Sequence, residues 1–263
     1  MTTEQTEGRA EYTGLGAREG SARGEQNVAG RLAAMEALRP VAGRHLLDIG
    51  CGNGAYTLRM AARFDRTVGV DLEPDRIGDF RALLAARDAG TADPGSDVAR
   101  AGEVEVVLGS ASDLAFPDGH FDTVTAVETM EHLGEHLDAV LREVARVLAP
   151  GGTFYLTTPN RWWPLEQHGF RTRSGWKPGW RFPFLTWVPA VHRRFSVNDA
   201  FTPWRLDRIV RPHGFRRTGL RFMMPPLDGH PGLRRVVGPA FAVVDATPLK
   251  RFAQTLVMTY ERV

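Results

Sequence analysis

Apolar and polar positions along the chain switch between two periods, and the switches mark the elements. Val28, Leu32, Ala34, Met35 and Leu38 recur at helical spacing and predict a helix over 25–38. HLLDIG (45–50) is a short apolar run that leads into glycines and predicts a strand. AYTLRMAARF (55–64) reads as a helix, TVGVDL (67–72) as a second strand, and DRIGDFRALLAARDAG (75–90) as a helix stopped by Gly90. EVEVVLG (103–109) and HFDTVTAVE (120–128) add a third and a fourth strand. GEHLDAVLREVARVLAPGG (134–152) then predicts an amphipathic helix, and TFYLTTP (153–159) a fifth strand. FRRTGLRFMM (215–224) and FAQTLVMTYERV (252–263) supply two more, with a helical segment around 233–244 between them. Strands alternating with helices imply right-handed crossovers and an α/β fold with a mainly parallel sheet.

The pattern also sets boundaries. Residues 1–25 lack periodicity and are expected to form a flexible arm, and TADPGSDVARAG (91–102) a polar loop of low order. Residues 26–160 hold the βα units, 161–195 interrupt them, and 196–263 return to the same domain. With 263 residues and 43% apolar content, one well-buried domain with an insertion is expected. No apolar run reaches membrane-spanning length, none near residue 1 resembles a secretory segment, and the single Cys51 excludes an internal disulfide. A cytoplasmic, soluble protein is the expectation.

Charge changes the picture. From Arg161 to Arg235 the chain carries fifteen Lys/Arg against four acids, a balance of +11, so the remainder stands at −9 for a net +2. All six tryptophans (162, 163, 176, 180, 187 and 204) lie in this basic part. Such asymmetry suggests an anionic partner, or else a solvated basic face over an aromatic minor core.

LLDIGCGNGAYT (46–57) places Gly50, Gly52 and Gly54 between a strand and a helix, where bare backbone can turn sharply and approach a ligand. Asp71, in VGVDLEP, ends the next strand, the position from which an acid reaches ribose hydroxyls. Together with GSASDLAFPDGHFDTVTAVETMEHL and LREVARVLAPGGTFYLTTPN, these segments resemble the class I S-adenosylmethionine-dependent methyltransferases over about residues 45–160. The resemblance implies a Rossmann-like, seven-stranded sheet with helices on both faces and S-adenosylmethionine as cofactor. It also implies that Asp48, Gly50, Cys51, Gly52, Asn53 and Gly54 line the methionine and ribose part of the cofactor. Asp71 would take the ribose hydroxyls, Leu72 would pack on adenine, and Ser110, Ala111 and Ser112 would meet its edge. Many relatives have an acid where this chain has Ser110. Cys51 reads as a packing residue rather than a nucleophile.

VETMEH (127–132) carries Glu128, Glu131 and His132, which on an α-helix would share one face. Carboxylates and an imidazole suit a hard or borderline divalent ion, such as Mg²⁺. The corner resembles that of ubiquinone-pathway and small-RNA O-methyltransferases, where a later histidine completes a metal site. His168 is the expected fourth ligand and His192 its alternative. The other reading is metal-free: His132 or Glu128, with His168 nearby, as the base that deprotonates an acceptor hydroxyl. His45, His120, His136 and His213 earn no role.

NRWWPLEQHGFRTRSGWKPGWRFPFLTWVPAVHRRF (160–195), with four prolines and five tryptophans, is expected to form an aromatic and basic lid between the fifth strand and the following helix. It would bind the acceptor, rest on a membrane surface, or simply hold itself together. The leading expectation is O-methylation of a hydroxyl on a small metabolite (a phenol, catechol, quinol or sugar, natural-product or lipid-linked), the acceptor being anionic or aromatic. The alternatives are a ribose 2′-O-methyltransferase acting on RNA, though no RNA-binding module is recognisable, and a non-methylating cyclase that uses the same pocket.

Overall fold

A computed structural model describes residues 22–91, 101–172, 175–196, 198–225 and 231–263. Most of the expected arm, and residues 92–100 of the polar loop, lie outside the described residues. The first helix, α1, spans Ala22–Glu36, so its start overlaps the last residues assigned to that arm. The order continues β1 (Gly43–Ile49), α2 (Ala55–Ala61), β2 (Phe64–Asp71), α3 (Pro74–Asp88), β3 (Glu103–Leu108) and β4 (Phe121–Val127). Then come α4 (Leu137–Val147), β5 (Leu148–Pro159), the short β6 (Phe170–Thr172) and β7 (Gly175–Lys177), α5 (Pro189–Phe195), α6 (Pro203–Val210), β8 (Phe215–Met223), α7 (Pro231–Asp245) and β9 (Thr255–Arg262).

Seven strands form one sheet in the order β3-β2-β1-β4-β5-β9-β8. β1 to β5 run parallel, and β9 enters antiparallel between β5 and β8. The direction of winding reverses between β1 and β4, and it is outside the carboxyl ends of such strands that an open α/β sheet leaves a crevice. Both faces of the sheet are covered. Leu137, Val140, Leu141, Val144 and Val147 form the buried stripe of α4 at helical spacing, joined by Leu206 and Val210 of α6. On the other face Val28, Leu32 and Met35 of α1 pack with Leu46, Met60, Tyr155 and Val257.

Two expected helix limits shift for local reasons. Gly134–His136 is a 3₁₀ turn, and α4 ends at Val147. Pro150 disfavours α geometry at Ala149, so LAPGG joins the start of β5, where Leu148 pairs with Phe121. After β5 the chain leaves the sheet for residues 161–202. This excursion holds the β6–β7 hairpin, 3₁₀ turns at Gly179–Arg181 and Leu185–Trp187, and α5. It returns through a parallel bridge between Asn160 and Phe201. None of the described helices is long and apolar enough to cross a membrane.

Candidate active site

The turn after β1 is built from left-handed glycines: φ is +68° at Gly50, +54° at Gly52 and +88° at Gly54. Two of them are also held by close approach. A Cβ on Gly50 would lie 2.5 Å from Thr129 Oγ1, and one on Gly54 would lie 2.6 Å from the Phe80 ring. Asp71 fastens the loop from the end of β2. Its Oδ2 accepts the Gly52 N–H at 2.8 Å, and its Oδ1 accepts the Glu73 N–H at 2.9 Å. Leu72, beside it, leaves 65% of its surface in water. At the end of β3, the Ser110 and Ser112 hydroxyls lie 2.8 Å apart and Ala111 is half-buried between them.

Asp48 takes a different place from the one expected. It is 2% exposed, with Oδ2 accepting from Thr57 Oγ1 and Oδ1 from Thr125 Oγ1, both at 2.6 Å. It braces β1 against α2 and β4 from beneath the loop. Burial pushes its carboxyl up to about 6, against the two threonine hydrogen bonds. Cys51 is buried, and burial together with Asp48 pushes its thiol up, which leaves it a packing residue.

The corner after β4 abuts this loop through Thr129, whose hydroxyl donates to the Ile49 carbonyl at 3.2 Å. It is not an α-helix. Glu128 adopts φ +51°, and Met130–His132 form one 3₁₀ turn, so Glu128 and Glu131 face different neighbours. Glu128 pairs with Arg31 of α1 at 3.1 Å and accepts from Thr157 Oγ1 at 2.9 Å; Arg31 also donates to Tyr56 OH at 2.8 Å. Glu128 therefore departs from the expected ligand set and from the expected base.

What the structure gathers instead is Glu131, His132 and His168, each with one ligand atom within 4.8 Å of the others. Glu131 is 2% exposed. Its Oε2 accepts from Thr158 Oγ1 at 3.0 Å, while Oε1 has no hydrogen-bond partner among the described residues. Burial, and then the neighbouring Glu128 charge, hold its carboxyl well above the ordinary carboxylate range. His132 is exposed, with Nδ1 2.9 Å from Asn198 Oδ1. His168 packs edge-on to His132 at 5.5 Å between ring centres, and burial, with help from His192, pushes it down to about 4, so it is neutral near pH 7.

His192, the alternative ligand, points elsewhere: its Nε2 lies 2.5 Å from Glu166 Oε2. Glu166 also accepts the His168 backbone N–H at 3.0 Å and places Oε1 3.4 Å from His168 Nδ1. Sequence reasoning missed Arg31, Asn198 and Glu166. Only Glu166 left a signal, as the lone acid between Arg161 and Val197.

Residues 47–156 match a family model described as Methyltransferase domain. The demethylmenaquinone methyltransferase of Symbiobacterium thermophilum is 28% identical over 198 residues, 69% of this chain and 72% of that protein. A ubiquinone biosynthesis O-methyltransferase of Xanthomonas euvesicatoria is 34% identical over 122 residues, 46% of this chain and 45% of that one. Several other curated relatives are matched over about half their length or less. Among solved structures, an S-adenosylmethionine-dependent methyltransferase from Mesorhizobium loti superposes with a TM-score of 0.58 at 16% identity, covering 93% of this chain and 99% of that one, which establishes the shared fold. Residues 47–156 thus match the methyltransferase domain, and the chain shares the fold of the S-adenosylmethionine-dependent methyltransferases.

Proposed function

We propose that the chain methylates a hydroxyl oxygen of a small metabolite, with the acceptor placed at the Glu131–His132–His168 corner. One observation carries the reading: a buried carboxylate, beside the glycine loop, keeps one oxygen without a partner among the described residues and clusters with two imidazoles. An unpaired buried carboxylate oxygen is costly and calls for a proton, a cation or a substrate hydroxyl. The relatives' names include O-methyltransferases, which agrees with the reading.

In this reading Gly50, Gly52 and Gly54 bring bare backbone against the methionine end of the cofactor, and Asn53 and Cys51 shape the same turn. Asp71 takes the ribose hydroxyls with lone pairs its two backbone N–H bonds leave over, Leu72 packs on adenine, and the Ser110–Ser112 turn borders the base. S-adenosylmethionine supplies the electrophilic methyl group, and the thioether S-adenosylhomocysteine remains after transfer. The protein's task is alignment and removal of one proton. Glu131 or His132 accepts the acceptor's hydroxyl proton; His168, neutral and buried, offers a nitrogen lone pair to the same spot.

The donor set also suits a divalent cation. One carboxylate and two imidazoles are a borderline set that leaves positions for an acceptor oxygen. Bound there, a cation would act as a Lewis acid and lower the pKa of that hydroxyl.

The deciding experiment is S-adenosylhomocysteine release with a panel of phenols, catechols and sugars, with Mg²⁺, Mn²⁺ or EDTA, alongside Glu131→Gln. Turnover confined to hydroxyl acceptors and lost in the variant supports the reading. Equal turnover in the variant, or transfer only to amines or carbon, would end it.

A further inference from the structure

On the α6–β8 side lies a cleft of about 830 Å³ that the methyl-transfer reading leaves unused. Its walls include Trp162, Trp204, Leu220, Phe222 and Phe252. A volume in this range accommodates a drug-sized ligand. The aromatic walls are fixed in place: Trp162 stands 6.2 Å from Trp204 and 6.3 Å from Phe252 between ring centres, and its carbonyl accepts the Trp187 indole N–H at 3.1 Å. Packing alone explains Trp162. It does not explain Trp204, which leaves 60% of its surface in water at the start of α6.

Three cations line the same cleft, and they differ. Arg217 is neutralised by Asp207 at 2.6 Å, an acid that also accepts from Tyr260 OH at 3.0 Å. Lys250 and Arg251 have no ion pair among the described residues; both sit in the 3₁₀ turn Pro248–Phe252. Asn160 clamps that turn, donating to the carbonyls of Arg251 at 2.8 Å and Ala253 at 2.7 Å. An apolar cleft with two uncompensated cations on a rigid turn has the recognition chemistry of an anionic amphiphile.

The cleft is also within reach of the corner. Thr158, which donates to Glu131, and Trp162 are four residues apart in the chain, a span of at most about 14 Å. That bound is within the length of an extended twelve-carbon chain.

We propose that this cleft binds the apolar body and anionic group of an amphiphilic acceptor, an alkyl or fused-ring skeleton with a carboxylate or phosphate. The acceptor role rests on the hydroxyl-methylation reading, whereas binding in the cleft is measured without turnover. Calorimetric titration with monomeric laurate, and with the uncharged dodecanol, tests it on the full chain. Laurate is expected to bind saturably in the micromolar range, at least fivefold tighter than dodecanol. Trp204→Ala and the pair Lys250→Ala/Arg251→Ala should each weaken it fivefold or more, while S-adenosylmethionine affinity, measured on the same samples, stays unchanged and shows that the variants fold.

Flotation with phosphatidylglycerol vesicles separates the sources. Laurate capture without flotation assigns a soluble amphiphile; both together, each lost in the Lys250/Arg251 pair, assign a lipid. Flotation without laurate binding, laurate binding indifferent to both variants, or no saturable binding overturns the cleft site. If laurate fails while catechols still yield S-adenosylhomocysteine, the cleft proposal falls and methyl transfer to oxygen stands. Laurate binding without turnover on any hydroxyl has the opposite consequence.

Discussion

The two halves of this molecule use apolar surface in opposite ways. From Gly43 to Asn160 the strands carry side chains such as Leu46, Leu47, Val124, Phe154 and Leu156 at 0% exposure, and among the described residues there the only large apolar side chains left in water are Leu72 and Leu108. Of the thirteen exposed large apolar side chains among the described residues, ten lie between Phe182 and Leu249. The stretch from Arg161 to Arg235 is also the part with the charge balance of +11. In the first half the described apolar side chains are almost all taken up by the core. The second half leaves aromatic side chains such as Phe182, Phe184, Trp187 and Trp204 exposed in the part of the chain that also carries the excess of cations.

The largest expected effect tests whether the boundary between the halves is where chemistry happens. Glu131→Gln should lower kcat by about 10²- to 10⁴-fold, the range for losing a positioned base, and leave S-adenosylmethionine affinity unchanged. Steady-state rates with calorimetry on the same preparation check it. A parallel loss of cofactor affinity would move Glu131 into the cofactor half.

Next comes the tie between α1 and the corner. Arg31→Ala removes the partner of Glu128 in a pair whose side chains are 15% and 20% exposed. Stranding a largely buried carboxylate should cost about 3 kcal/mol, read as a shifted midpoint in urea unfolding. Arg31→Ala together with Glu128→Gln should recover part of that loss, since the stranded charge is gone.

What the sequence made legible follows the same division. β1, β2, β4 and β5 were readable because burial on both faces forces apolar runs, edge strand β3 because Val104, Val106 and Val107 still mark it, and the glycine turn because left-handed turns need glycine at 50, 52 and 54. The corner was read with the wrong geometry. Glu128, Glu131 and His132 look like one helical face, but a non-glycine residue at φ +51° and a single 3₁₀ turn send Glu128 to Arg31 and Glu131 inward to Thr158. Nothing local encodes that choice; it is made by an arginine 97 positions away in α1 and by β5. His168 was the expected fourth ligand, but the sequence left His192 open as its alternative for the same reason. Only the folded excursion shows that His192 is spent on Glu166, while His168 stands by His132.

Asp48 offers a pH test that belongs wholly to the cofactor half. Its folded-state carboxyl, near 6, stands above its ordinary value of 3.8, so the folded state binds the proton more tightly than the unfolded one. Its contribution is therefore most favourable at low pH and is lost as pH rises through 6, by about 2–3 kcal/mol over that window. Asp48→Asn, which cannot titrate, should show a flatter dependence of unfolding free energy between pH 4 and 7 than the parent protein. Parallel curves for the two proteins would mean that Asp48 titrates at its ordinary value.

Leu72 and Trp204 sharpen the comparison most finely, because both are large, apolar and mostly exposed, yet they sit in opposite halves. If exposure marks an awaited ligand in both cases, each truncation should be silent in stability and selective in binding. With 65% of its surface already in water, Leu72 has little burial to lose on truncation, so Leu72→Ala should change unfolding free energy by no more than about 0.5 kcal/mol. It should weaken S-adenosylmethionine several-fold, about 1 kcal/mol, the apolar area a leucine would share with an adenine face. Because the effect is removal of contact area rather than of charge, it should be insensitive to salt, in contrast to losses at Lys250 and Arg251. A Leu72→Ala protein that loses stability but keeps its cofactor affinity would show that the leucine props the turn after β2, and that exposure in this half is no guide to ligand contact.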